Sequence, residues 1–407
     1  MAEVAVDANV RERRASLWTP AFMLLCLTVL LGYAHQSMLT PLVPLYVEDQ
    51  GGSAFFAGLV LLAFSVPSFL VRPLFGYMAD AWTAAGVLGM GLLLLALGGV
   101  IYLLPLLAFL FVGGVVRGLG WAGVNTGGYT LLANVAPAAR RGEASGYYTA
   151  VTSSASIVFP GLGLLLIDAS FGGFHLAFLI GSAIALAGLP LAFIVSRPRG
   201  PTSATPVVAA PAEAPVEGML DRGVLLATAL NFSSTLAAPA LGAFLPLYAK
   251  DLGIGSIGFY YVAAGITSIV IRPLIGAKSD TMGRGPALAV GFVAQFCGFL
   301  LILAAQNLGM ILVGGVFTSF GSALNNSSTT ALAMDLANPA RRGKAMATFS
   351  ISFQLGVGIG SIIAGGLADL VGFRGMYAGS ATIIACGMVL LLLSWRSLPK
   401  PHLVVSG

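Results

Sequence analysis

Charge is what this 407-residue sequence has least of: 9% of its residues are Asp, Glu, Lys or Arg, against 57% hydrophobic. A soluble domain carries about a quarter charged residues, so this scarcity, with a mean hydropathy of +0.94, excludes one. Cysteine is equally sparse. Cys26, Cys297 and Cys386 stand far apart in apolar runs, which leaves no readable disulfide framework and no expected metal site. The three histidines, at 35, 175 and 402, have no deep carboxylate beside them and cannot furnish the convergent acid–base set of an enzyme. A Gly-x-x-x-x-Gly-Lys-Ser/Thr loop is absent, so ATP drive has no support, and no cofactor is called for. The net charge of +5 is not the mark of a nucleic-acid partner; where the charges lie matters more.

What the chain has in abundance is apolar length. A spanning helix needs about 20 apolar residues. Breaks at charged or Pro/Gly-rich points leave candidates at 18–46, 54–79, 84–104, 106–133, 143–167 and 174–196, then at 222–249, 255–279, 286–305, 308–334, 344–368 and 375–396. The stretch from Leu17 to Val47, although preceded by Arg11, Arg13 and Arg14, is too long for a signal-peptide core and reads as the first span. Irregular backbone cannot face lipid, so each candidate is read as helix, with Pro41, Pro44, Pro160 and Pro246 marking bends rather than ends. The expected fold is an all-α membrane protein in the lipid bilayer, with twelve transmembrane helices in two pseudo-symmetric six-helix bundles. The expected domains are a tail at 1–17, a bundle at 18–196, a linker at 197–221, a bundle at 222–396 and a tail at 397–407. The linker is rich in Pro, Ala, Thr and Glu and cannot bury enough surface to fold.

The two bundles are copies. Arg72-Pro-Leu-Phe-Gly-Tyr-Met-Ala-Asp80 returns as Arg272-Pro-Leu-Ile-Gly-Ala-Lys-Ser-Asp280. Pro44-Leu-Tyr46 answers Pro246-Leu-Tyr248, Ala139-Arg-Arg-Gly142 answers Ala340-Arg-Arg-Gly343, Asn125 answers Asn326, and Asp168 answers Asp369. Every offset lies between 200 and 202, the parallel repeat of a transporter. The basic residues then orient it. With the amino terminus inside, fifteen of the 20 Lys and Arg fall on the cytoplasmic side, only Lys250 and Arg374 on the other, and three within spans. Both termini are therefore expected in the cytoplasm.

Gly276-Ala-Lys-Ser-Asp280-Thr-Met-Gly283-Arg284 resembles the Gly-x-x-x-Asp-x-x-Gly-Arg signature of the major facilitator superfamily, and the likeness of the two halves covers about residues 18–396. The first copy keeps Gly76 and Asp80 but has Ala81-Trp-Thr-Ala-Ala-Gly86 in place of the basic tail. The resemblance implies the major facilitator fold and a gating role for Asp80 and Asp280. Each ends a helix where the partner half begins one, at Arg342-Gly-Lys344 and Arg141-Gly-Glu143, and a carboxylate there gains about 0.3–1 kcal/mol. The other reading of these aspartates is helix capping and topology marking. Arg117-Gly-Leu-Gly120-Trp-Ala-Gly123 resembles the family's helix-4 motif, with Gly120 at the usual Gln. Pro160 and Gly163 match part of a helix-5 motif associated with antiporters, while Phe159 and Leu164 replace expected glycines.

No carboxylate falls at mid-membrane. The deep ionisable groups are His35, Arg72, Arg117 and Arg272, and a charge at the bilayer centre costs at least about 2.5–3.5 kcal/mol, so each needs a partner or a wet cavity. His35 reads as a proton-coupling or substrate-bonding group, or as a neutral imidazole bridging two helices. Arg72 and Arg272 read as a fork for an anionic substrate, or as arginines that satisfy backbone freed at a proline or snorkel to headgroups. Arg117 has Thr318 at its equivalent place, and lost symmetry at a costly residue favours function. Gln36, Asn125, Asn325 and Asn326 are further candidates for a cavity wall; Asn325-Asn-Ser-Ser-Thr-Thr330 is the densest polar stretch inside a span. The expected function is transport of a small organic solute by alternating access across a bacterial cytoplasmic membrane, as a monomer. Proton-coupled export of a drug or metabolite comes first; uptake or exchange of an organic anion at Arg72 and Arg272 is the alternative.

Overall fold

A computed structural model describes residues 16–137, 140–168, 172–195, 221–338 and 342–398; the linker and both tails expected from the sequence lie mostly outside them. The described chain is helical. In the first half the helices are α1 (Pro20–Asp49), α2 (Ala54–Leu70), α3 (Arg72–Ala81), α4 (Ala84–Ile101), α5 (Leu107–Val135), α6 (Arg141–Asp168) and α7 (Gly173–Val195). The second half has α8 (Leu225–Gly242), α9 (Leu245–Asp251), α10 (Gly258–Met282), α11 (Arg284–Leu303), α12 (Leu308–Leu336) and α13 (Arg342–Leu393). Among the described residues nine helices are individually long and apolar enough to cross a membrane, and the bent pair α2–α3 makes a tenth.

Local chemistry sets where helices begin. The Thr19 hydroxyl accepts from the Phe22 amide at 3.2 Å with Pro20 in the first turn, and Ser53, Thr83 and Asn307 cap α2, α4 and α12 in the same way. Pro41 and Pro44 lie inside α1 and do not end it, as expected of a lipid-embedded helix. Two expectations need correction. The 54–79 span is not one helix: it bends by 44° between α2 and α3, beside Pro73, which disfavours helical backbone at the residue before it. Pro246 does not bend a continuous helix either; the chain breaks at Ala243 and Phe244, and Pro246 sits in the first turn of α9. At 52 residues α13 is two arms, parted at Gly372, whose φ of 76° and ψ of 172° leave the helix; only glycine takes that backbone without strain.

The duplication is visible in the packing. α4 lies against α5 and α11 against α12, with small residues letting the backbones close in. A Cβ on Gly98 would fall 2.4 Å from the Arg117 Cγ, and one on Gly298 would fall 2.6 Å from the Thr318 Cγ2. The same clearance thus serves both copies, which confirms in three dimensions that Arg117 and Thr318 are equivalent.

The ends of the helices define two faces. One carries residues 82–83, 136–137, 140 and 283; we call it the basic face. The other, the far face, carries residues 50–53, 102–106, 252–257 and 372. The halves meet through α2 with α13, α6 with α10 and α1 with α9. These contacts cluster toward the far face, whereas α3, which carries the chain on to the basic face, packs on α4 and α5 of its own half.

Candidate functional site

Arg117 is the centre of the first half. It is 2% exposed, about 15 Å along α5 from its far-face end at 1.5 Å per residue. Its guanidinium reaches three neutral acceptors: Nε donates to His35 Nε2 at 3.3 Å, one terminal nitrogen to the Tyr102 hydroxyl at 3.1 Å, the other to Gln36 Oε1 at 2.8 Å. Two rings, of Phe64 and Tyr102, lie 5.5 and 5.3 Å from its Cζ, within cation–π range. None of these partners carries a negative charge. Sequence reasoning found Arg117, His35 and Gln36 but missed Tyr102, which stands at the far-face end of α4 and carries no pattern of its own.

His35 is fully buried, and its ring is fixed from both sides. Nδ1 lies 2.9 Å from the Gly181 carbonyl and must donate, since a carbonyl only accepts. Nε2 must therefore be the unprotonated nitrogen that accepts from Arg117. In this arrangement His35 is the neutral bridge between helices, the second of its two sequence readings, because a proton on Nε2 would face an N–H of a cation. Replacing it by Gln, which keeps a donor and an acceptor, is expected to slow transport while leaving its response to an imposed pH gradient; loss of that response in a proteoliposome flux assay would make His35 the coupling group after all.

Arg72 opens α3 at the bend and is half-buried, and its Nε has no hydrogen-bond partner. Tyr33 and Tyr129 lie within its electrostatic reach. Tyr33 donates to Asn125 Oδ1 at 2.9 Å, Asn125 Nδ2 donates to the Trp121 carbonyl at 2.9 Å, and the Tyr33 and Trp121 rings meet edge-on at 4.6 Å. The expected pairing of Arg72 with Arg272 falls on a side chain outside the described residues, as do those of Gly276 and Asp280.

The second half holds a neutral network instead. Gln295 Oε1 accepts from Ser234 and from Asn325 Nδ2, both at 3.0 Å, and Asn231 bonds Ser352 at 2.7 Å and Thr329 at 3.2 Å. Asn325 is fully buried among α8, α11 and α12, which gives it a packing role in this state. Asn326 is half-buried, and its carbonyl accepts from Thr330 at 2.7 Å.

The far face is fastened by charged side chains. The Asp369 carboxylate, on α13, accepts from the Ala54 and Phe55 amides at 2.9 and 2.8 Å, capping α2 across the two halves. Lys250 on α9 meets Glu48 on α1 at 2.6 Å. Beneath them Gln354 bonds Ser68, and Cβ atoms on Gly58 and Gly365 would fall 2.4 Å from the Ser361 carbonyl oxygen and 2.2 Å from that of Ala54. The helix-5 motif belongs to the same closure. Pro160 is buried; Gly161 faces Gly258 across the halves, and Gly163 lets α6 approach Met38 and Leu42 of α1. Asp369→Ala removes a cap worth about 0.5–2 kcal/mol, and is expected to raise far-face labelling of Ser361→Cys, a position buried at the seam opposite Gly58, by an impermeant maleimide several-fold.

On the basic face the opposite holds. Asp80 is exposed and, among the described residues, makes no hydrogen bond or ion pair, while Leu74 and Tyr77 on α3 are 56% and 71% exposed. In the second copy Gly283 turns the chain with φ 85°, a conformation that favours glycine, and Arg284 pairs with Asp335 of its own half at 2.9 Å. The first copy has Thr83 with φ −152° capping α4 at the turn, and Ala84 and Asn134 where Arg284 and Asp335 would stand. Both members of the ion pair are gone together, so the missing Arg284 equivalent leaves no counterpart of Asp335 unpaired.

The model of the Major Facilitator Superfamily matches residues 25–305 and 255–406. The MFS-type transporter YhhS of Escherichia coli K12 is 25% identical over 369 residues, covering 88% of each chain. The multi-drug resistance efflux pump PmrA of Streptococcus pneumoniae is 24% identical over 383 residues, covering 90% of this chain and 94% of that one. Among solved structures, a D-xylose-proton symporter superposes with a TM-score of 0.75 at 18% identity, covering 94% of this chain and 98% of the other.

Proposed function

This chain belongs to the Major Facilitator Superfamily and is a membrane transporter of small-molecule solutes rather than an enzyme; from that premise we propose that it exports a small organic solute, coupled to protons, across a bacterial cytoplasmic membrane. Twelve spans fit this reading, with α2–α3 and α8–α9 as broken spans and α13 as two. The observation that carries it is the asymmetry of the faces. The far face is closed by Asp369 and the Glu48–Lys250 pair, whereas Asp80 on the basic face is exposed and makes no hydrogen bond or ion pair among the described residues. With the basic face in the cytoplasm, this is the state that loads solute from inside. Alternating access requires a second state in which the fastening passes to the other face.

Kinship with an efflux pump supports the outward direction, as do the residues shared with the helix-5 motif. The test is flux in proteoliposomes under an imposed pH gradient, with cationic, neutral and anionic solutes compared. Uphill movement out of the cytoplasmic compartment, driven by proton entry, is expected. Flux indifferent to the gradient would end the proton-coupled reading.

One observation favours the alternative of organic-anion uptake or exchange: the unpartnered Nε of Arg72. A guanidinium edge in a half-buried, carboxylate-free setting is suited to a carboxylate or phosphate of the solute. If Arg72→Gln and Arg272→Gln both spare transport of the preferred solute, that reading loses its basis.

A further inference from the structure

A groove of about 860 Å³ runs down the side of the molecule where the halves meet. One wall is α6, from Ile157 to Ile167, and the other is formed by α9, α10 and the loop between them. Its surface is apolar, and Val158, Leu165 and Phe259 are 56%, 66% and 63% exposed. In a membrane protein such flanks face hydrocarbon. The ten residues of α6 from one end of the wall to the other rise about 15 Å at 1.5 Å each, which is half of the roughly 30 Å bilayer core. The groove therefore has the length of one leaflet.

Its far-face end is polar, with Asp49, Lys250 and Ser256 among its lining residues. Asp49 and Lys250 stand there, at the ends of α1 and α9. Lys250 is already held by Glu48 at 2.6 Å, whereas the hydrogen bond to Asp49 among the described residues is a 3.4 Å contact from Gln50. The uncommitted charge is thus negative and sits at headgroup level.

We propose that this groove is a binding site for a zwitterionic phospholipid of the far-face leaflet, its acyl chain between α6 and α10 and the cationic end of its headgroup at Asp49. The walls come from different halves, and they meet at Gly161 and Gly258, where an added Cβ would lie 3.3–3.5 Å from the facing backbone. Opening the far face pulls them apart. A lipid that fits only the joined walls stabilises the closed far face, in proportion to its preference for that state. The groove is not lined by His35, Arg72 or Arg117, and the proposal does not depend on which solute is carried.

The test uses the full chain in bilayers containing a zwitterionic phospholipid with a photoactivatable group at mid-chain. After irradiation, label is expected on residues 157–167 and 257–262 at about fivefold or more over the groove of Val293 and Phe317 between α11 and α12, a factor that corresponds to about 1 kcal/mol. That second groove is apolar and open to lipid but carries neither a charged end nor a seam. Leu162→Trp, and Val158→Trp as a second filler, are expected to remove the excess while the protein elutes as before. Asp49→Asn is expected to abolish the preference over an anionic competitor lipid without abolishing labelling. Even labelling of both grooves, or undiminished labelling in the filled variants, would show annular lipid only and overturn the proposal.

Discussion

Gly365→Leu is expected to prevent closure of the far face and to lower solute flux by about 5–150-fold, the range that 1–3 kcal/mol of overpacking supplies. A Cβ at this position falls 2.2 Å from the Ala54 carbonyl oxygen and 2.8 Å from its carbon. Both are backbone atoms, so no rotamer change relieves the clash, and α13 must retreat from α2. Retreat also withdraws Asp369, one turn further along α13, from the Ala54 and Phe55 amides. The fold of each half is untouched, because the contact lies between halves. The expected signature is therefore normal expression and thermal stability, with a Ser361→Cys reporter, buried in the closed seam, open to impermeant maleimide from the far face. Gly58→Leu, whose Cβ meets the Ser361 carbonyl oxygen at 2.4 Å, is expected to behave alike. Undiminished flux in both would mean that the far-face closure is no part of the cycle.

Arg117→Leu is the second large effect, with flux expected to fall by at least about 100-fold while stability changes little. Two terms oppose each other in the folded state. Removing a charge from mid-membrane relieves at least about 2.5–3.5 kcal/mol; stranding the acceptors at His35, Gln36 and Tyr102 costs about 1–3 kcal/mol each. The two cancel at the lower end of the acceptor cost, about 1 kcal/mol each, and a residue held on those terms, replaced by Thr318 in the other copy, has its use in the transport cycle. Arg117→Lys is expected to rescue little, since an ammonium on a flexible stem cannot address three partners in the fixed directions of a guanidinium fork. Thermal melting beside flux separates the outcomes: a variant that unfolds at much lower temperature would make Arg117 a structural residue.

The helices were legible because lipid imposes the simplest of rules, that apolar length means helix, and the expected spans meet the observed ones within a few residues. What escaped was backbone detail at prolines. Pro41 and Pro44 look no different in the sequence from Pro73 and Pro246, yet only the latter two stand beside breaks in the chain. Neighbouring helices decide which freed carbonyls are satisfied, and that information is not local. The repeat alone exposes the equivalence of Arg117 with Thr318, and of Asp168 with Asp369. It could not show that Asp369 reaches across to α2, because a contact between halves depends on which face is closed. Tyr102, the Gly181 carbonyl and Asp335 were likewise silent. Each acts only through the partner that the fold brings to it.

The most direct test is to tie the far face shut. The Cβ of residue 366 would lie 3.6 Å from Phe55 Cδ2, so Phe55→Cys with Gly366→Cys, in a chain lacking Cys26, Cys297 and Cys386, places two thiols on opposite sides of the seam, where a short bis-methanethiosulfonate reagent can bridge them. Flux of the identified solute should fall to background on cross-linking and return with a reductant. Full transport through a completely cross-linked protein would contradict alternating access at this seam.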